Sequence, residues 1–152
     1  MIKENINKIQ DMSLLGENDD IEYFDEIVYK VSLEAKIDSI KDLSLVLDDD
    51  SSTPSAMENI IQCIFTISNR CGIENGIYEI LSNSENIIKK AKGWFIEINK
   101  MILNYEPFHN AYINSLKKID NENFIVVIDI LENIKNIDYK YRDLIDLLIN
   151  KI

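Results

Sequence analysis

Cysteine is scarce in this chain of 152 residues: there are two, Cys63 and Cys71. If both lie on one helix, the helical rise puts them about 12 Å apart along its axis. A disulfide needs Cα atoms within about 7 Å, so a bridge inside that helix is excluded. Both read as buried, reduced thiols of a cytosolic protein. Histidine is scarcer still, with His109 alone. One histidine and two cysteines without ligand-pair spacing make no zinc site, and His109 reads as a surface or packing residue. The four glycines, Gly16, Gly72, Gly76 and Gly93, stand singly. No glycine-rich phosphate loop and no Gly-x-Ser-x-Gly nucleophile turn exists. No apolar run approaches the roughly 20 residues of a membrane helix. The opening "MIKENINKIQDM" is too polar for a signal peptide, so a cytoplasmic protein is expected. No catalytic, cofactor-binding or metal-binding motif is present.

Apolar residues are plentiful, at 46%, enough for one domain with one sizeable core spanning residues 1–152. They recur with helical spacing from end to end, and no segment alternates with period two. Ile2, Ile6 and Ile9 begin a first helix ending near Gly16. Ile21, Phe24, Ile27, Val28 and Val31 mark a second, with Asp19 or Asp20 placed as N-cap. Ile37 to Leu47 continues into a third, after a break near Ala35 and Lys36. Pro54 suits the first position of a fourth, with Thr53 as its cap. Its stripe runs through Met57, Ile60, Ile61 and Ile64 to stops at Gly72 and Gly76. A short helix around Ile77 to Leu81 follows. Ser82 and Glu85 have the spacing of a capping box for a long helix over about residues 84–105. Its stripe includes Phe95, Ile98 and Ile102, with Trp94 and Met101 beside it, and Trp94 is expected to be largely buried. Gly93 inside this helix suggests close packing. Further helices start at Pro107, Asp120 and Asp138. The expectation is an all-α protein of eight or nine helices, sequential neighbours antiparallel. It closes either as a bundle or as an irregular α-solenoid of the HEAT or armadillo kind.

The formal charge is −11, and it is unevenly spread. Residues 1–58 hold fifteen acids and five bases; residues 59–152 hold twelve acids and eleven bases. Such a field repels nucleic acid and anionic membrane and draws a basic partner. The run Asp48, Asp49, Asp50 is the sharpest feature. Read as a calcium loop from Asp48, it has Thr53 where the turn needs glycine and Asn59 where the bidentate glutamate belongs, so it fails. Read as capping for the helix at Pro54, it explains one aspartate, while the others sit at the unfavourable end of the preceding helix. A cationic partner explains the rest. The partner-binding face expected from charge comprises Asp48, Asp49 and Asp50 together with Asp19, Asp20, Glu22, Asp25 and Glu26, with Tyr23 as an aromatic anchor. Lys89, Lys90, Lys92 and Lys100 read as the solvated face of the long helix.

"LSLVLDDDSS" before an apolar helix containing Met57, then "WFIEINKMILNYEPF", then "AYINSLKKID", resembles the bacterial Immunity protein 30 family, from about Ile37 to the C-terminus. The resemblance implies a small, cytosolic, helical protein that binds the C-terminal domain of a cognate polymorphic toxin, contact-dependent or secreted, and neutralises it by steric occlusion rather than catalysis. The acidic face suits a basic toxin domain, such as a nuclease. The alternative is a helical-repeat adaptor for another basic protein or peptide. An enzyme using paired carboxylates is the third reading; the Glu-x-x-His motif common in di-metal bundles is absent.

Overall fold

A computed structural model of the chain describes residues 1–12 and 21–152. The proposed cap residues Asp19 and Asp20, and Gly16, lie outside the described residues. Nine α-helices and no strand occur among those described: α1 (Ile2–Met12), α2 (Ile21–Glu34), α3 (Ser39–Ser44), α4 (Pro54–Cys71), α5 (Ile73–Leu81), α6 (Ser84–Leu103), α7 (His109–Lys118), α8 (Asn121–Ile137) and α9 (Arg142–Ile149). Short 3-10 turns, Glu106–Phe108 and Tyr139–Tyr141, lead into α7 and α9. The all-α expectation holds, as does the break after Glu34. The third helix is shorter than its apolar spacing suggested, six residues in place of the span from Ile37 to Leu47.

The helices alternate between two layers. Among the even-numbered helices, α2 packs beside α4 and α6 beside α8; the odd-numbered α1, α3, α5, α7 and α9 follow one another in the second layer. This is the alternation of an irregular α-solenoid. Within the first layer, α2 and α4 run in the same direction. Asn59 meets Asp25, the Cys63 thiol meets the Val28 carbonyl, and Arg70 meets the Ser32 carbonyl, so both numbers rise together along the seam. Arg70 Nε donates to Ser32 O at 3.2 Å, and its Nη2 donates to Ala35 O. A cation from α4 thereby satisfies the terminal carbonyls of α2, whose own last turn has no basic residue.

The core is continuous from Ile6 to Leu148, with Ile64 and Ile98 fully buried on the expected stripes. One polar network lies inside it. Tyr112 is buried, and its hydroxyl donates to Asn99 Oδ1 at 2.5 Å; Asn99 Nδ2 donates to Phe95 O at 2.8 Å. Burial raises the Tyr112 phenol well above its ordinary range. The network ties α6 to α7.

Gly72 ends α4 with φ of 125°, a conformation that favours glycine. Gly76 is not a stop. It lies within α5, where an added Cβ would stand 2.4 Å from Ser68 Cβ and 2.8 Å from Ser68 Cα. It is the crossing point of α4 and α5. The expected capping box at Ser82 and Glu85 does not form. Ser82 Oγ bonds the Tyr78 carbonyl, and the Glu85 amide donates instead to Asn123 Oδ1 of α8 at 2.9 Å. Thr53 holds the N-cap position of α4, but its hydroxyl makes no capping bond. Asp120 does cap α8, accepting from the Asn123 amide at 2.9 Å.

Candidate interaction surface

No group of three or more His, Cys, Asp or Glu that could hold a metal ion occurs among the described residues. His109 Nε2 sits 2.9 Å from the Leu103 carbonyl, a packing role at the end of α6. Both cysteines are free thiols. Burial pushes the Cys63 thiol up to about 12 from an ordinary 9.0, with Arg70 pulling weakly the other way. It is a protonated, inert sulfur at neutral pH.

The acids of α2 divide by environment. Glu22 and Glu26 are exposed, as is Tyr23 at 43%. Asp25 is half-buried and accepts from Asn59 Nδ2 of α4 at 2.7 Å. It belongs partly to the α2–α4 seam. Beside it, Asp25, Tyr29, Leu33, Asn59, Gln62 and Thr66 border a shallow groove between the two helices.

The aspartate run has a structural role that sequence reading missed. Helix α6 is broken at Ala91, whose φ and ψ of −139° and 42° are not helical. A second helical segment therefore starts at Lys92, with its first amides unsatisfied. Ala91 has no side-chain oxygen to cap it. Asp49 supplies one from the loop between α3 and α4: its Oδ2 accepts from the Gly93 amide at 2.8 Å and its Oδ1 from the Trp94 amide at 3.1 Å. The Asp49 amide donates to Lys90 O at 2.8 Å, holding the loop on the break. These are the two bonds an N-cap side chain makes, delivered from 44 residues away. Negative charge there also opposes the positive end of the segment's dipole. Asp48 Oδ1 accepts from the Asp50 amide at 2.9 Å, and its carbonyl accepts from Trp94 Nε1 at 3.2 Å. Asp49 thus stabilises a helix, though not the one starting at Pro54. Only Asp50, exposed, has no such account. Gly93 is explained by the same geometry: an added Cβ would lie 3.1 Å from Asp49 Oδ1. The close approach expected at Gly93 is made by a loop carboxylate, not a packed helix.

Below this loop the first layer is open. The backbones of α4 and α6 barely approach each other. A groove of about 310 Å³ lies between them, lined by Glu58, Asn59, Ile61, Gln62, Trp94, Glu97 and Met101. Trp94 is partly buried, packed against the core, and also walls this groove. The i, i+3, i+7 spacing of Trp94, Glu97 and Met101 was a readable sign of one shared face. Asn104, at the end of α6, bonds the Tyr141 hydroxyl at 2.8 Å and is structural.

The surface acids are brought together in part. Asn59 borders both grooves and touches Asp25, while Trp94 touches Asp48 and Asp49. The α2 acids and the Asp48–Asp50 loop thus flank one stretch of the first layer.

No helix of the described residues is long and apolar enough to cross a membrane. No curated protein and no solved structure matches the chain. A family model does, over residues 11–112. That span runs from the end of α1 into α7 and takes in the broken α6, the aspartate loop and both grooves; it leaves out α8, α9 and most of "AYINSLKKID". The match covers about two thirds of the chain, and the protein belongs to the Immunity protein 30 family.

Proposed function

We propose that this protein binds the C-terminal toxin domain of a cognate polymorphic toxin and neutralises it by covering its working surface. Membership of the Immunity protein 30 family carries the reading. Binding rather than catalysis agrees with a fold whose histidine and buried cysteine both have packing roles. The contact face is the acidic N-terminal part: Glu22, Tyr23, Asp25 and Glu26 on α2, Asp48 to Asp50 on the loop, and Asp19 and Asp20 beside them in sequence. Asp49 takes part through its backbone-fixed position as much as its charge. The partner is basic, a nuclease being one candidate. The protein acts in the cytoplasm, without nucleic acid or membrane as a direct ligand. The immunity domain spans residues 1–152.

The two-layer alternation of helices favours one other reading, a helical-repeat adaptor for a different basic protein. Co-expression separates them. The C-terminal domain of the protein encoded immediately upstream, produced with this chain, is expected to co-purify with it and to lose its toxicity. Toxicity undiminished, with no complex formed, would overturn the immunity reading.

A further inference from the structure

We infer that the groove between α4 and α6 is a socket for an arginine side chain of the partner, stacked on Trp94 between Glu58 and Glu97. The inference rests on the immunity reading for the identity of the partner, and on the groove alone for its chemistry.

The lining is uneven in a way that selects a ligand. It holds two carboxylates, two carboxamides, an indole, a thioether and an aliphatic chain, and no cation. A guanidinium uses all of these at once. Its plane stacks on an indole face, its fork donates to carboxylate or amide oxygens, and its methylene stem lies against Ile61 and Met101. Ammonium fits less well, being compact and more strongly hydrated. At about 310 Å³ the groove stands at the bottom of the range for small-molecule sites, and suits one side chain better than a metabolite.

The walls are held in place beforehand. Trp94 is fixed by its ring N–H on the Asp48 carbonyl and its amide on Asp49. The break at Ala91 and the aspartate wedge set where the second segment of α6 begins, and so where Trp94 points. Such preorganisation lowers the ordering cost of binding. One competitor is present: Glu97 pairs with Lys100 at 3.6 Å across one turn. A partly exposed pair across one helical turn contributes little and yields readily to a bidentate guanidinium.

Trp94 is the chain's only tryptophan, so its fluorescence reports the groove directly. Hexa-arginine peptide, titrated into the intact protein, is expected to change Trp94 emission saturably. Glu58→Gln with Glu97→Gln should raise the half-saturation concentration about tenfold. Glu122→Gln with Asp129→Asn removes the same charge from exposed positions on α8 and should change it less than about twofold. No emission change, or an equal effect of both double variants, would overturn the socket. With the toxin domain as ligand, the groove variant should bind about tenfold more weakly, again with Trp94 emission responding. A complex of unaltered affinity and unaltered emission would overturn the socket and leave the immunity reading standing. Absence of any complex would overturn the immunity reading, and the peptide titration would then decide the socket by itself.

Discussion

Asp49 and Gly93 form a pair whose residues are each costly by local rules and favourable together. Glycine inside a helix costs up to about 1 kcal/mol against alanine. Three adjacent aspartates repel. Yet the Asp49 carboxylate bonds the Gly93 and Trp94 amides at a point where a Cβ at position 93 would crowd it, 3.1 Å from Oδ1. Asp49→Ala is therefore expected to destabilise by about 0.5–2 kcal/mol, the range for losing an N-cap. Neutralising the aspartate run to leave the fold intact or more stable, the outcome that charge repulsion alone suggests, is not expected at Asp49. Gly93→Ala should gain nothing or lose stability in the wild-type background, because the new methyl presses on the carboxylate, 3.1 Å from Oδ1. With Asp49→Ala already present, the same substitution should stabilise by up to about 1 kcal/mol. Denaturant unfolding of the four proteins in a double-mutant cycle measures this coupling. An equal effect of Gly93→Ala in both backgrounds would show that Asp49 does not set the need for glycine.

Helix positions were largely legible from the 3.6-residue spacing of Ile, Leu, Val and Phe, because an amphipathic helix writes its buried face into its own sequence. Helix ends were less so. The second segment of α6 is capped by Asp49, the start of α6 by Asn123, and the end of α2 by Arg70. Each cap comes from another element, 35 residues away or more. Local patterns such as Ser82 with Glu85 cannot register such partners, so the break at Ala91 passed unseen. Gly76 misled for a related reason: a glycine read as a helix stop was serving a contact with a neighbouring helix. That contact gives a direct test. At Gly76 an alanine methyl would meet Ser68 Cα at 2.8 Å, backbone that cannot rotate away. Gly76→Ala should force α4 and α5 apart and destabilise by about 1–3 kcal/mol, despite alanine's better helix propensity. Thermal unfolding reads the loss. A rise in melting temperature would mean that the crossing is looser than its geometry states.

At the scale of the whole molecule, charge and architecture line up. The described part of the acidic residues 1–58 builds α1, α2, α3 and the start of α4, one end of the two-layer stack, while acids and bases nearly balance over residues 59–152. A one-ended field of this kind turns an approaching cationic partner toward that end before contact, and at physiological salt it acts over about 8 Å. Fields of this sort act mainly on association; buried aromatic anchors act mainly on dissociation. The two effects can be separated with residues of α2, away from the capped break in α6. Glu22 and Glu26 are exposed on α2 and make no ion pair among the described residues. Glu22→Gln with Glu26→Gln should slow association with the toxin domain by a few fold at low salt and flatten its salt dependence, with dissociation nearly unchanged. Tyr23→Ala should instead speed dissociation and leave the salt slope alone. Asp48 and Asp49 are poor choices for this experiment, because a loss at Asp49 mixes electrostatics with the uncapping of α6. Association kinetics at two salt concentrations, on variants shown to melt like the wild type, supply the measurement. If removing the α2 charges changes neither rate nor slope, those charges serve solubility, and the partner is oriented by another part of the surface.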